Sequence, residues 1–317
     1  MRTRRSAAVS MAATVTLAMA FGACGGETEG NTDDPANRVV TTDGSSTVYP
    51  MSKAAYQLMS GERADIHVTV TASGTGGGFA KFCAGETDIS NASRPIDSDD
   101  EANICEENGV TYTELQVAVD ALTVVVHPEL AVDCLTTDQL VRLWQPGSKV
   151  TRWNDLDPTF PDQEIALFGP GTDSGTYDYL AAEVIQDPSS ATRGDYESSE
   201  DDNVLVQGVA STPGATGYFG YTYYEEYADS LKALAIDDGD GCVAPSARSA
   251  RAGAYTPLSR PLFIYVNNQA YAESAAVRHY TDFYIDNLPT IAEAAQFISL
   301  NEDQYVETRA ALEQMAG

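Results

Sequence analysis

Residues 73–96 read SGTGGGFAKFCAGETDISNASRPI. This stretch opens with a glycine-rich run that lies between a predicted strand and a predicted helix. The preceding run, IHVTVT at residues 66–71, alternates and is rich in β-branched residues, which predicts the strand. The amphipathic segment at residues 79–84 predicts the helix. A helix leaves its first N–H groups without partners and carries the positive end of its dipole there. The run therefore predicts a loop that binds an oxyanion.

Two further segments repeat the order of strand, small polar turn and helix. The turn DGSSTVYP at residues 43–50 lies between a strand predicted for 39–42 and a helix predicted for 51–60. The turn GPGTDSGT at residues 169–176 also follows a predicted strand and precedes a predicted helix. Helix capping by residues 45–47 would explain one such turn alone. Three of them predict an α/β fold whose ligand lies where the strands end.

The first 23 residues are predicted to be an export signal and not part of the fold. Three arginines precede an apolar run at residues 9–21, which is too short to span a bilayer core of ~30 Å. The sequence FGAC that follows resembles a bacterial lipobox, which makes Cys24 the expected lipidation site. An ordinary secretory peptide without lipid is the alternative. Residues 24–37 are predicted to form a flexible tether.

Beyond Cys24 the chain has four cysteines, Cys83, Cys105, Cys134 and Cys242. An even number in an exported protein predicts two disulfides, and four cysteines allow three pairings. We favour Cys83 with Cys105, which closes a local loop, and Cys134 with Cys242, which closes a longer one. A metal site is not expected, because neither a C-x-x-C pair nor a histidine cluster accompanies them.

The chain is strongly acidic, with 18 lysine and arginine residues against 47 aspartate and glutamate residues and a net charge of −29. This charge argues against nucleic acid as a partner and against polybasic contact with a membrane. It also repels anions at long range, so an oxyanion site must act through short, directed hydrogen bonds. Solubility or a saline habitat would explain the acidity itself.

An enzyme is not expected. TDSG at residues 172–175 superficially resembles the nucleophile loop of a serine protease, but such a serine needs a positioned base, usually histidine. The histidines His67, His127 and His279 all fall at positions predicted to be structural, and the sequence has no G-x-S-x-G elbow. We therefore expect neither catalytic residues nor a cofactor.

The nearly continuous apolar run LQVAVDALTVVV at residues 115–126 predicts a buried strand. Asp120 interrupts the run, and a carboxylate there must be either strained or paired. The strand is expected to act as a hinge near residues 118–125. A second crossing is expected where the chain returns, at about residues 232–255.

Five motifs, taken in order, resemble those of the periplasmic phosphate-binding proteins of the high-affinity phosphate ABC transporter. The motifs are GSSTVYP, SGTGGGFAKFCAGETDISNASRPI, LTVVVHPE, KVTRWNDL and GPGTDSGTYDYL. The resemblance runs from about residue 39 to the C-terminus. It implies a two-lobed periplasmic-binding-protein (type II) α/β fold with a hinge and an inter-lobe ligand cleft. Lobe 1 would comprise residues 38–120 and 250–317, and lobe 2 residues 121–249.

The resemblance implies that three loops bind inorganic phosphate and that the closed protein delivers it to ABC permease subunits. It further implies an exported monomer that touches the membrane only through its lipid. Binders of sulfate, molybdate or a phosphonate, and a phosphate-binding surface sensor, are the alternatives. The implied phosphate contacts are Ser46, Thr47 and Val48; Ser73, Thr75 and Gly76; Ser93 and Arg94; and Ser174, Gly175 and Thr176.

The chain departs from the best-known family pattern at two positions. Ser93 stands where that pattern has an aspartate, which accepts the proton of phosphate and helps to reject sulfate. Pro170 stands where the pattern has an arginine, and Arg94 follows Ser93 instead. A guanidinium fork matches two phosphate oxygens, although a surface ion pair is the alternative for Arg94. Asp173 or Asp43 could replace the missing carboxylate.

Arg193 lies in a charged loop and is a weaker candidate for the site. It could serve as a second phosphate ligand or as a latch that forms when the lobes close. A purely structural role is favoured over both, because its neighbours in sequence are polar and charged.

Overall fold

The fold is built on a mixed sheet. The computed structural model describes residues 38–316 except 173, 187–190 and 200. The predicted export signal, the tether with Cys24, and Asp173 lie outside the described residues. The strands are β1 Val39–Gly44, β2 His67–Val70, β3 Ile89–Ala92, β4 Tyr112–Val126, β5 Cys134–Thr136, β6 Ala166–Gly169, β7 Glu197–Ser198, β8 Ala215–Gly220, β9 Lys232–Ala233, β10 Ala235–Asp237, β11 Cys242–Val243 and β12 Ser259–Asn267.

Helices connect the parallel strands of this sheet, which confirms the predicted α/β class. They are α1 Tyr49–Ser60, α2 Thr75–Cys83, α3 Glu101–Glu107, α4 Thr137–Trp144, α5 Trp153–Leu156, α6 Gly175–Asp178, α7 Asp202–Ser211, α8 Tyr221–Glu226, α9 Ala247–Arg251, α10 Asn268–Glu273, α11 Ala275–Asp286, α12 Leu288–Ala294 and α13 Glu302–Ala316. A π-helix, Tyr179–Ile185, continues α6. None of the described helices combines the length and the apolar character needed to cross a membrane.

Within the described residues the main sheet has nine strands, ordered β2-β1-β3-β12-β4-β8-β6-β7, with β9 also paired to β4. The long strand β4 organises this sheet. Its first part pairs antiparallel with β12, and its last residues pair with β8 and β9. The strands β11, β10 and β5 form a separate small sheet.

Two large hydrophobic cores lie on either side of the middle of β4. The first core contains Met51, Leu115 and Tyr284 among its buried residues. The second core contains Trp144 and Tyr218 among its buried residues. Because β4 contributes to both, one strand passes from the first core into the second. Most of its residues are buried, as the apolar run in the sequence predicted.

Both disulfides have the pairing that the cysteine positions favoured. Cys83 bonds to Cys105 and ties α2 to α3. Cys134 bonds to Cys242 and ties β5 to β11 across a sequence separation of 108 residues. The predicted disulfide framework is therefore confirmed.

Several element boundaries differ from the sequence-based prediction. Helix α2 begins at Thr75 and not at residue 79, because the three glycines adopt helical backbone. Ser274 separates α10 from α11, and its side chain caps α11 by accepting from the N–H of Val277. Residues 45–47 do not cap α1 either, since its N-cap is Val48 and no side chain makes the capping bond.

Candidate functional site

A cleft of about 290 Å³ lies where β1, β3 and β12 approach the start of the π-helix. Its lining combines hydroxyl groups with two guanidinium groups and two carboxylates. The lining residues are Ser45, Ser46, Thr47, Gly74, Thr75, Gly76, Ser93, Arg94, Asp178, Tyr179, Ala182, Glu183 and Arg260. This set contains Ser46, Thr47, Thr75, Gly76, Ser93 and Arg94 of the residues that the resemblance implied.

The first loop is held in place by two glycines at positions where no side chain fits. Gly44 has φ +133°, and a Cβ there would lie 2.1 Å from the carbonyl oxygen of Asn91. A Cβ on Gly78 of α2 would lie 2.4 Å from the Cα of Gly44. The loop therefore packs directly on β3 and α2, with Ser46 and Thr47 facing the cleft. Val48 instead packs into the first core.

Asp43 joins the first loop to the second. Its Oδ1 accepts from the N–H groups of Gly44 at 2.7 Å and Ser73 at 2.9 Å, and its Oδ2 accepts from Lys81. Burial alone would raise the pKa of Asp43, but these hydrogen bonds, first that from Lys81, lower the pKa to about 2. Asp43 and Ser73 therefore lie behind the cleft as supports, and Asp43 does not face a ligand there.

The second loop places the first turn of α2 at the cleft. The Oγ1 of Thr75 lies 3.0 Å from the Oγ of Ser93 and accepts from the backbone N–H of Ser93 at 3.2 Å. Gly76 follows in the same turn, where helix N–H groups have no intrahelical partner. Backbone and hydroxyl donors of two loops thus meet on one wall.

Arg94 faces the cleft and α3 at the same time. Its Nη1 and Nη2 each lie 2.8 Å from a carboxylate oxygen of Glu101, and its side chain is 41% exposed. The guanidinium also lies 5.6 Å from the ring centroid of Phe79. Arg94 therefore forms the ion pair that was the alternative to a phosphate contact. Contact between Arg94 and an anion stays a prediction.

Arg260 is a second cleft arginine, which the sequence analysis missed. Its Nη2 donates to the Oγ1 of Thr47 at 2.8 Å, and its Nε lies 3.3 Å from the Oδ2 of Asp120. Its guanidinium carbon lies 3.8 Å from the ring centroid of Tyr179, and the side chain is only 11% exposed.

Asp120 is paired with Arg260, which is one of the two alternatives predicted for this carboxylate. Burial raises the pKa of Asp120, and the charge of Arg260 opposes that rise. The sequence did contain a signal for this pair. Arg260 lies near the start of the apolar strand β12, and Asp120 lies inside the apolar strand β4. Matching these two opposite charges could have indicated that β4 and β12 are neighbours.

The third loop lies beside the first loop, while the turn that follows it lines the cleft. Ser174 caps α6 by accepting from the N–H of Thr176 at 3.2 Å. A Cβ on Gly175 would lie 3.4 Å from the Oγ1 of Thr47. Ser174, Gly175 and Thr176 are not among the cleft-lining residues. Asp178, one turn later, reaches the cleft. It lies within the motif GPGTDSGTYDYL but was not among the predicted contacts.

The carboxylate of Asp178 and the side chain of Ser46 in the first loop both line the cleft. Partial burial raises the pKa of Asp178, while interaction with Ser46 and the charge of Arg260 oppose the rise. Asp178 and Ser46 thus place the third segment and the first loop at the same cleft.

Arg193 lies away from the cleft. Its Nη1 donates to the carbonyl oxygens of Leu143 and Val150, both at 3.0 Å, and its Nε lies 2.6 Å from Asp195. The side chain is buried and ties together loops around the second core. A ligand role for Arg193 is not supported by this position, because these partners occupy its guanidinium.

A sheet shared by two cores, with a polar cleft at the strand ends, is typical of proteins that bind a small solute. Residues 27–287 match the family model of the PBP superfamily domain. Protein SphX of Synechocystis sp. is 44% identical over 277 residues, which are 86% of this chain and 82% of that protein. The phosphate-binding protein PstS of Staphylococcus saprophyticus is 36% identical over 302 residues, 94% of this chain and 91% of that protein.

The crystal structure of a possible phosphate-binding protein from Planctomyces limnophilus superposes with a TM-score of 0.84 at 40% identity. The match covers 88% of this chain and 99% of that chain. The chain therefore belongs to the PBP superfamily and, within it, to the PstS-like family of phosphate-binding proteins. The predicted family resemblance and the predicted fold class are confirmed.

Proposed function

We propose that this protein captures inorganic phosphate in the cleft and delivers it to an ABC permease. One observation carries the proposal. The hydroxyl groups of two loops and the first turn of α2 converge with Arg94 and Arg260 on a single cavity of about 290 Å³. Guanidinium forks and backbone N–H groups are the donors that oxyanions prefer in proteins. The relatives named PstS are phosphate-binding proteins, which supports phosphate as the ligand.

The strongly negative chain requires a site of this kind. Because its net charge is −29, the protein repels phosphate at long range. The ligand is therefore held only after it has lost water to hydrogen-bond donors at short range. Arg260 suits this role because Thr47, Asp120 and Tyr179 hold its guanidinium in place before a ligand arrives.

Two lobes, 38–120 with 250–317 and 121–249, account for capture and closure by hinge bending. The cores support one crossing inside β4, since Ala118 packs in the first core and Val119 in the second. They favour a second crossing between Leu258 of the second core and Leu262 of the first, close to the proposed region at about residues 232–255.

Isothermal titration with phosphate, arsenate and sulfate tests the proposed ligand. We expect one phosphate or arsenate per chain and sulfate binding weaker by about two orders of magnitude. Arsenate serves as the control because it has the shape and protonation of phosphate. Tight sulfate binding with weak phosphate binding would instead identify a binder of another tetrahedral oxyanion.

Delivery and anchoring need separate experiments. Export of the protein as a monomeric lipoprotein anchored through Cys24 predicts that Cys24→Ala releases it from the membrane fraction. Transport in vesicles that contain the permease should depend on the phosphate-loaded protein. A protein that binds phosphate but leaves transport unchanged would be a surface sensor.

A further inference from the structure

A second cavity, of about 530 Å³, has no role in the proposed function so far. One wall comes from α8 and α9, whose Tyr221 and Ala250 belong to the second core. The other wall comes from α12, whose Ile291 belongs to the first core, and from residues 296–300, called the strap, which follow α12. Among the described residues, none lines both this cavity and the phosphate cleft.

The strap contacts both hydrophobic cores. Phe297 packs against the first core, Ile298 is buried in the second core, and Leu300 packs against both. The backbone of Ile298 exchanges two hydrogen bonds, of 2.9 and 3.0 Å, with Val119 of β4. The strap is therefore a third link between the two cores, besides β4 itself and the return near residues 258–262.

Two side chains tie the strap to the elements of the second core. Thr222 of α8 donates to the carbonyl oxygen of Gln296. The Nε of Arg251 in α9 donates to the carbonyl oxygen of Ser299 at 2.7 Å. Gln296 has φ +60°, a left-handed conformation that residues other than glycine seldom adopt. The contacts around the strap therefore hold its backbone in one defined path.

The cleft and the second cavity lie on opposite edges of β4. Successive residues of a strand direct their N–H and C=O groups to opposite edges. Val119 directs these groups to Ile298 of the strap, whereas Asp120 pairs with Arg260 of β12. Arg260 lines the cleft and Ile298 lines the cavity. A rotation about β4 that opens one of the two must therefore narrow the other.

In this structure the walls of the cleft are in contact. The ring centroid of Tyr179, a residue of the second core, lies 3.8 Å from the guanidinium carbon of Arg260. A Cβ on Gly175 would lie 3.4 Å from the Oγ1 of Thr47 in the first loop. The width of the second cavity is therefore the width that accompanies a closed cleft.

We propose that the strap and the second cavity control closure, so that a group filling this cavity stabilises the closed protein and tightens phosphate binding. This rests on the proposed closure of two lobes around phosphate. When the cleft opens, the wall formed by α8 and α9 moves towards α12, and a bulky group between them resists that movement. The apparent affinity for phosphate rises with the fraction of ligand-free molecules that are already closed.

The test uses Ala247→Trp and Glu293→Trp, which fill the cavity from its two opposite walls. Isothermal titration should give each variant a phosphate dissociation constant lower than that of the wild type by about threefold or more. Damage to the fold would not tighten binding. Small-angle X-ray scattering of each ligand-free variant should give a smaller radius of gyration than that of the ligand-free wild type, close to the value with phosphate bound.

Two variants are matched controls. Ala310→Trp adds the same side chain at an exposed position of α13 that does not line the cavity. Glu293→Gln removes the charge of Glu293 without filling the cavity. Both should bind phosphate within about twofold of the wild type, because an exposed charge at this distance is screened by salt. Binding by Glu293→Gln as tight as that by Glu293→Trp would contradict the proposal, since charge and not bulk would then be the cause.

Glu293 is exposed, so its replacement leaves both cores intact even if Ala247→Trp fails to fold. A folded Glu293→Trp variant that binds phosphate no more tightly than the wild type overturns the proposal. Ligand-free scattering identical to that of the wild type overturns it as well. Wild-type protein that binds no phosphate would instead refute the proposed function, while the scattering of the ligand-free proteins would still report on closure.

Discussion

At the residue scale, the cleft is arranged around Arg260. The guanidinium packs on Tyr179, donates to Thr47 and pairs with Asp120, so its position is fixed on three sides. Removing one partner of such a pair leaves the other charge buried, which costs more than the pair itself contributes. The arrangement keeps one positive charge oriented towards the cleft in a protein whose overall charge is strongly negative.

Arg94→Ala tests the other cleft arginine. We expect phosphate binding to weaken by about 1.5–3 kcal/mol, the range for a hydrogen bond to a charged group, measured by titration. Arg152→Ala is the control, since Arg152 forms a comparable exposed ion pair with Asp162 away from the cleft. Equal affinities of Arg94→Ala and the wild type would assign Arg94 to its Glu101 ion pair alone.

Asp43→Asn tests the support between the first two loops. The pKa of Asp43 is lowered to about 2 from its usual 3.8, so the carboxylate stabilises the fold above pH 3.8. That stabilisation is lost as the pH falls through about 2. Urea unfolding at neutral pH should show the variant less stable by about 2 kcal/mol. The difference between variant and wild type should shrink towards pH 2, and a pH-independent difference would refute the assignment.

At the scale of elements, the three strand–turn–helix units were predictable because each has a short β-branched or apolar run followed by small polar residues. The start of α2 was misplaced, since a run of glycines looks like a loop and only tertiary contact fixes it as helix. Gly78 shows the reason: it is needed for close packing against Gly44.

Gly78→Ala tests that packing. A Cβ placed 2.4 Å from the Cα of Gly44 must displace α2 or the first loop. We expect a loss of about 1–3 kcal/mol in stability together with weaker phosphate binding. Gly220→Ala is the control, because a Cβ there meets no atom within 4 Å. If both variants behave alike in thermal unfolding and titration, the close approach does not position the site.

At the scale of the whole molecule, the parts of the site that the sequence could not predict come from distant segments. Arg260 meets Thr47 across 213 residues of sequence and Asp120 across 140. No local pattern marks Arg260 as a cleft residue, because only the assembled sheet brings it to the loops. By contrast, the loops at residues 45–47, 74–76 and 93–94 carry local sequence signals, and the sequence analysis identified them.

The most direct test of phosphate capture is a crystal structure of the full chain with saturating phosphate. We expect one phosphate in the cleft, in hydrogen-bond contact with the Ser46 and Thr75 loops and with Arg260. Phosphate bound only outside the cleft, or a cleft filled by water at saturating phosphate, would contradict it.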